Sequence, residues 1–250
     1  MMKTKIIFAI FLIISSSFIE TFGKLPSTIP ICSRNHPKLS ECIINAIEIL
    51  RPSLRTGDFG QGFRVPPLEP FTVPQINFGE EQGLQVFLSN VQVRGASKFV
   101  IDKLRVNFNE LKMDLLLTTP KLDISGKYKL KFNFLSSLVN SEGEYFTTFE
   151  NGKIRASLKG YKFMKNGKEY AKIDPVGIQF QRGQVTNLKM TNLFNGNVVL
   201  SEIVHGLLTS NPDYVLNNIY PQVNKYLSNL ATEVASRIIV GHSLEELFPY

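Results

Sequence analysis

The sequence predicts an α+β fold in which a strongly curved antiparallel β-sheet wraps a long C-terminal helix. Two observations carry that expectation. From Leu84 to about Met190 apolar and polar residues alternate, and from Leu216 to Ile238 apolar residues recur at steps of three and four. No helical pattern interrupts the alternating region, which excludes a doubly wound α/β arrangement. A wide one-sided sheet and a long amphipathic helix must bury their apolar faces, and each supplies the other's cover.

The first element is a leader. "MMKTKIIFAIFLIISSSFIETFG" has a basic start at Lys3 and Lys5, an apolar run from Ile6 to Ile14, and then small and polar residues. That is the layout of a secretory signal peptide, with Thr21 and Gly23 placing the cut after Gly23. The apolar run is far shorter than the roughly 20 residues a membrane helix needs. The expected organisation is a signal peptide at 1–23 and one domain at 24–250, exported to the extracellular space, with no stable membrane insertion.

Cys32 and Cys42 are the two cysteines of the chain. Outside the cytosol such a pair oxidises and persists, which predicts one intramolecular bridge. A free pair and an intermolecular bridge are the alternatives. Next, Leu39, Ile43, Ala46, Ile47 and Leu50 mark one face of a short helix. Ser40 is placed to cap it, Glu41 lies in its first turn, and Pro52 is expected to end or bend it. Prolines 66, 67, 70 and 74 then describe an extended path at a sheet edge.

The strands follow. Their apolar series are Leu84, Val86, Leu88, Val91 and Val93; Leu104, Val106 and Phe108; Leu111, Met113, Leu115 and Leu117; Tyr128, Leu130, Phe132 and Phe134; Ile154, Ala156 and Leu158; and Ile178 and Phe180. Lys127, Lys129, Lys131 and Asn133 occupy the opposite, wet side. Asn151-Gly152 and Asn166-Gly167 read as hairpin turns. Asn211-Pro212-Asp213 opens the final helix, Pro212 to Ile239, about 40 Å long. Pro221 should kink it and Gly241 stop it.

Little in the chain carries chemistry. The formal charge is +7, spread along strands and loops rather than gathered in a block, so nucleic acid is not an expected partner. A basic surface of this kind mildly favours anionic partners or membrane surfaces. His36, His205 and His242 lack metal-ligand spacing, and neither a G-x-S-x-G elbow nor a phosphate-binding glycine loop is present. No enzyme activity and no cofactor are expected.

Several segments are recognisable together: "LPSTIPICSRNHPKLSECIINAIEILRPSL", "VPPLEPFTVPQINF", "KLDISGKYKL", "NLFNGNVVLSE" and the closing "LFPY". In this order they resemble the takeout and juvenile-hormone-binding family of insect secreted proteins, part of a wider group of tubular lipid-binding proteins. The resemblance implies a helix enfolded by a curved sheet and an internal tunnel for a small hydrophobic molecule. It implies that the family's bridge near the mature N-terminus corresponds to Cys32 and Cys42, and its Asn-Leu-Phe-Asn-Gly stretch to Asn192–Gly196. Moth-type hormone binders have a second disulfide, for which this chain has no cysteines, so the resemblance is to the takeout branch.

The function expected is that of a secreted carrier binding a small hydrophobic ligand, terpenoid, fatty-acid-like or another long apolar molecule. The alternative is a secreted signalling or structural protein with a filled interior. The expected lining is Leu115, Phe132, Phe134 and Phe180 from the sheet, with Ile219, Val223, Leu227 and Leu230 from the helix. Such a wall offers no partner for a buried charge, so the ligand is expected to be neutral or polar at one end. Tyr128, Tyr220 and Tyr226 are the tyrosines placed to offer a hydroxyl at a mouth, or to act as boundary residues.

Overall fold

A computed structural model describes residues 26, 28–79, 85–134, 137–181, 183–202, 206 and 212–250, with the side chains at 78, 132–134, 137–138, 212–216 and 218 left out. Among the described residues, helix α1 spans Leu39–Thr56 and is followed by eight strands. These are β1 Phe71–Gly79, β2 Gln85–Arg94, β3 Val100–Asn107, β4 Lys112–Phe134, β5 Ser137–Lys165, β6 Lys168–Ile173, β7 Gly177–Gln181 and β8 Gln184–Met190. Helix α2 spans Pro212–Ile239, the extent predicted, and a one-turn helix α3 spans Leu244–Leu247.

Cys32 and Cys42 are joined, with Cα atoms 6.0 Å apart, and tie the extended start of the domain to the first turns of α1. Helix α1 differs from expectation at both ends. Lys38 occupies the N-cap without a side-chain bond, Ser40 lies inside, and the helix runs past Pro52 to Thr56. Pro52 forfeits only its own N–H, and Gly57 closes the helix at φ 76° by donating to Ser53 O. Removing the bridge with Cys32→Ser and Cys42→Ser should lower stability by about 3 kcal/mol through loop-closure entropy. The urea unfolding midpoint checks this, and an unchanged midpoint would show that the bridge constrains nothing.

All strand pairs are antiparallel, and the sheet runs β1-β2-β4-β5-β6, with β3 added to β4 and with β7 and β8 added to β5. Its spine is the β4–β5 ladder, unbroken in register from Lys112↔Lys159 to Phe134↔Ser137. The α+β class, the antiparallel sheet and the long helix match the sequence reading. The wrapping does not. The sheet is open, neither strongly curved nor closed round α2, and its path ends at β1 and β6. Alternation records which side of a strand is dry and carries no information about how far the sheet bends. Closure needs two edges with matching rows of free N–H and C=O groups. Here Pro74 interrupts one such row, and groups of β1 and β7 bond to α2 instead.

The Asn151-Gly152 pair is not a turn. It lies inside β5, whereas Asn166-Gly167 does turn between β5 and β6. Asn151 has φ 57° and stands opposite Pro120, the position skipped in the ladder. The alternation of burial along β5 resets there: Ser141, Gly143 and Tyr145 are buried or half-buried with Glu142 and Glu144 exposed, whereas beyond it Gly152, Ile154, Ala156 and Leu158 are buried or half-buried with Lys153, Arg155 and Ser157 exposed. Asn90, at φ 50°, stands opposite Pro74 in the same way, and the series Val86, Leu88 passes to Val91, Val93 across it. A left-handed asparagine opposite a proline that cannot donate shifts both strands together, so register survives while phase changes.

Candidate ligand-binding face of the long helix

Helix α2 meets the sheet through three stripes, separable on a wheel of about 100° per residue. The first is polar and spaced by fours: Asn224, Ser228 and Thr232. Asn224 Oδ1 accepts from Phe180 N–H at 2.8 Å, Thr232 Oγ1 accepts from Val176 N–H at 2.8 Å, and Ser228 Oγ donates to Val176 O. These side chains take the place of a further strand along β7. The second contact lies on the other flank, where Tyr226 Oη donates to Thr72 O of β1 at 3.2 Å and its ring lies 6.2 Å from that of Phe71. Between the two flanks runs the apolar stripe Ile219, Val223, Leu227 and Leu230.

That stripe meets a cluster formed by Phe71, Val73, Ile76 and Val91, with Leu88, Val93 and Ile124 against it. The four sheet residues are buried, yet Ile219, Val223, Leu227 and Leu230 are all only half-buried. Among the described residues of α2 no side chain is fully buried. In a close-packed interior an apolar stripe on a central helix is sealed from solvent-sized probes. Here it retains accessible apolar surface.

The expected lining residues divide into three groups. The four helical residues come together on the β1–β2 cluster. Phe180 lies further round the helix, its ring 6.1 Å from that of Tyr220. Leu115 pairs with Ala156, which pairs with Ile178, so Leu115 shares a sheet face with Phe180 without being its neighbour. Phe132 and Phe134 pair in register with Val139 and Ser137, and their side chains lie outside the described residues, as does all of His205.

Sequence reasoning missed Phe71, Val73 and Ile76, because the proline-rich segment that holds them reads as an irregular edge. It also missed Asn224, Ser228 and Thr232, although a four-residue polar period inside an apolar helix was a usable signal. Asn224→Leu should leave Phe180 N–H unpaired and cost about 2 kcal/mol. Thermal unfolding measures this, and a midpoint equal to that of the parent would refute the edge-bonding role.

Two of the tyrosines placed at a mouth are already engaged in the fold. Tyr128 Oη donates to Thr191 O at 2.8 Å beside Ser141, and burial raises its pKa. Tyr226 is raised by burial and by the nearby Glu233. Burial pushes Tyr145 up to about 12, so it stays a neutral hydroxyl. Tyr128 also receives the family-like Asn192–Gly196 stretch. Asn192, Phe194 and Asn195 all have φ near +50°, and buried Phe194 packs on Val86, Tyr128 and Leu130 while donating its N–H to Ser141 Oγ at 2.9 Å.

An open cleft of about 690 Å³ lies elsewhere, lined by Lys127, Lys129, Glu142, Glu144 and Asn192 among others. Its walls are mostly the wet side of β2, β4 and β5, with Leu88 and Tyr128 also reaching it, and it is not the apolar passage the sequence suggests. Among the described residues no group of three or more His, Cys, Asp or Glu is placed to hold a metal, and no helix is long and apolar enough to cross a membrane.

A model of the haemolymph juvenile hormone binding protein (JHBP) family matches residues 7–249. The chain belongs to that family. Takeout 1 of Epiphyas postvittana, known from its crystal structure, is similar over 88% of this chain and 99% of its own, at TM-score 0.68 and 17% identity. At that identity the likeness shows a shared fold. A lipopolysaccharide binding protein is similar at TM-score 0.41 and 12% identity, over 84% of this chain and 39% of its own. No curated protein sequence matches the chain.

Proposed function

We propose that this JHBP-family protein is a secreted, non-catalytic carrier of a small hydrophobic molecule, held against the apolar stripe of α2. The observation that carries the reading is the half-buried state of Ile219, Val223, Leu227 and Leu230 between the two flanks where the helix bonds to the sheet. A ligand there removes apolar surface from water, at about 25 cal/mol per Å² before ordering costs. The polar stripe of α2 is already bonded to β7 and to Val176 just before it, so the ligand is apolar along its length and carries any polar group at one end.

Leu115 and Phe180 extend the wall on the β7 side, and Phe132 and Phe134 belong to the same proposal through their place in β4. The exported form is 24–250, after removal of 1–23. The Cys32–Cys42 bridge suits an oxidising compartment.

Protein exported by cultured cells and purified without detergent should release a stoichiometric apolar compound into organic solvent, identified by mass spectrometry. It should also displace a fluorescent fatty-acid probe. Neither a co-purifying compound nor saturable binding of any long-chain probe would refute the carrier reading.

A further inference from the structure

We propose that the hairpin formed by β5 and β6, residues 160–173, is a docking surface for anionic lipid membranes. Its register pairs Tyr161 with Lys172, Phe163 with Tyr170, and Lys165 with Lys168. Directly paired residues share a face, so three aromatic rings and three lysines stand together on one side of the hairpin. Tyr161 is 52% exposed and Phe163 41% exposed, and Phe163 stacks on Tyr170 at 5.9 Å. Met164, next to the turn, pairs with Glu169 and so lies on the other face of the hairpin, where it is 67% exposed. Lys165 and Lys168 flank Asn166-Gly167 with like charges directly opposed, which weakens a hairpin. The Phe163–Tyr170 stack supports the hairpin, but neither the exposure of Met164 nor the opposition of the two lysines does anything for the fold.

The other face is anchored. Glu169 is held by Arg34 at 3.6 Å and by Lys162 at 3.7 Å, and Lys162 lies 4.7 Å from the centre of the Phe108 ring. The hairpin is therefore fixed from behind and presents its aromatic and cationic side outward. The acidic group that meets that side is Glu246, 3.4 Å from Lys168 in an exposed pair that a lipid phosphate can replace.

Charge complementarity selects an anionic partner, and the shape of the feature selects a lipid surface. A two-stranded tip that exposes Phe163 on one face and Met164 on the other presents an edge that can enter a lipid surface, rather than a groove lined on both sides for a peptide. Aromatic and thioether groups flanked by lysines match the boundary between acyl chains and anionic headgroups. Docking there is peripheral and reversible, and it stands independently of whatever α2 binds.

The test is flotation of the exported protein with vesicles of phosphatidylcholine alone or mixed with phosphatidylserine, at low and at physiological salt. Binding to the phosphatidylserine vesicles should be at least tenfold tighter and should weaken with salt. Lys165→Glu with Lys172→Glu should lower it about tenfold. Phe163→Ser with Met164→Ser should lower it similarly, and Met164→Ser alone, at a residue the fold does not bury, should lower it measurably. Unfolding midpoints equal to the parent's confirm that the variants fold. Equal binding to both vesicle types, variants that bind like the parent, or equally tight binding to soluble polyglutamate would each overturn the proposal.

Discussion

Glu69→Ala is expected to destabilise the protein by about 4 kcal/mol, since three buried or half-buried donors lose a charged acceptor together. The Glu69 carboxylate accepts from Gly95 N–H and Ser97 N–H at 3.0 Å and from the Ser97 hydroxyl at 2.8 Å. Around this point the end of α1 bonds to the segment that leads into β1, through Leu68 N–H to Leu54 O and Glu69 N–H to Arg55 O. Arg51 donates to Ser97 O and lies 4.1 Å from the centre of the Phe99 ring. Gly95 is held at φ 93°, where an added Cβ would come within 2.3 Å of Lys121 O, so Gly95→Ala should be comparably damaging.

The carboxylate also makes the joint sensitive to acid. Burial alone would raise its pKa, but the bonds from Gly95 and Ser97, with Arg55 nearby, outweigh it and hold the group below its ordinary 4.5. A depressed folded value means the stabilisation is complete above about pH 4.5 and is lost as pH falls towards the folded value. Urea unfolding at pH 7 and below pH 4 checks both points: the gap between parent and Glu69→Gln should narrow in acid. A gap independent of pH, or a Glu69→Ala protein within 1 kcal/mol of the parent at pH 7, would show that the joint is not held by this charge.

Element type was legible wherever one local rule acted alone. The three-and-four stripe and the Pro212 start placed α2, and Asn166-Gly167 placed its turn. The misread positions are those where two rules compete. Asn151-Gly152 has the composition of a turn, but the strand partner opposite Asn151 is Pro120, and the pair became a phase reset within a long ladder. Pro52 reads as a stop, yet by then α1 needed only one more turn to reach a glycine cap. The helical half of the candidate site followed from periodicity. The sheet half did not, because phase resets at Pro74–Asn90 and Pro120–Asn151 decide which residues turn inward. Sheet curvature left no trace in the pattern at all.

Val223→Trp is expected to lower affinity for a long apolar ligand at least tenfold while moving the thermal midpoint little. Val223 sits midway along the stripe, one turn from both Ile219 and Leu227, and faces the cluster of Phe71, Val73, Ile76 and Val91. The two readings of that space differ in sign. If it is packed solid, an indole forced into it costs about 1–3 kcal/mol in strained rotamers and backbone shifts. If it is accessible, as the half-buried stripe indicates, the indole occupies volume the ligand needs, and lost affinity replaces lost stability. The companion substitution Val223→Ala separates the cases again: in a solid core it leaves a cavity and costs about 1–2 kcal/mol. Against a ligand space it enlarges the room and shifts preference towards a bulkier chain. Titration of chain-length series against parent, tryptophan and alanine forms, beside their melting curves, measures both quantities on the same samples. A tryptophan form that melts far below the parent yet binds unchanged would make Val223 part of a filled core and place the ligand elsewhere.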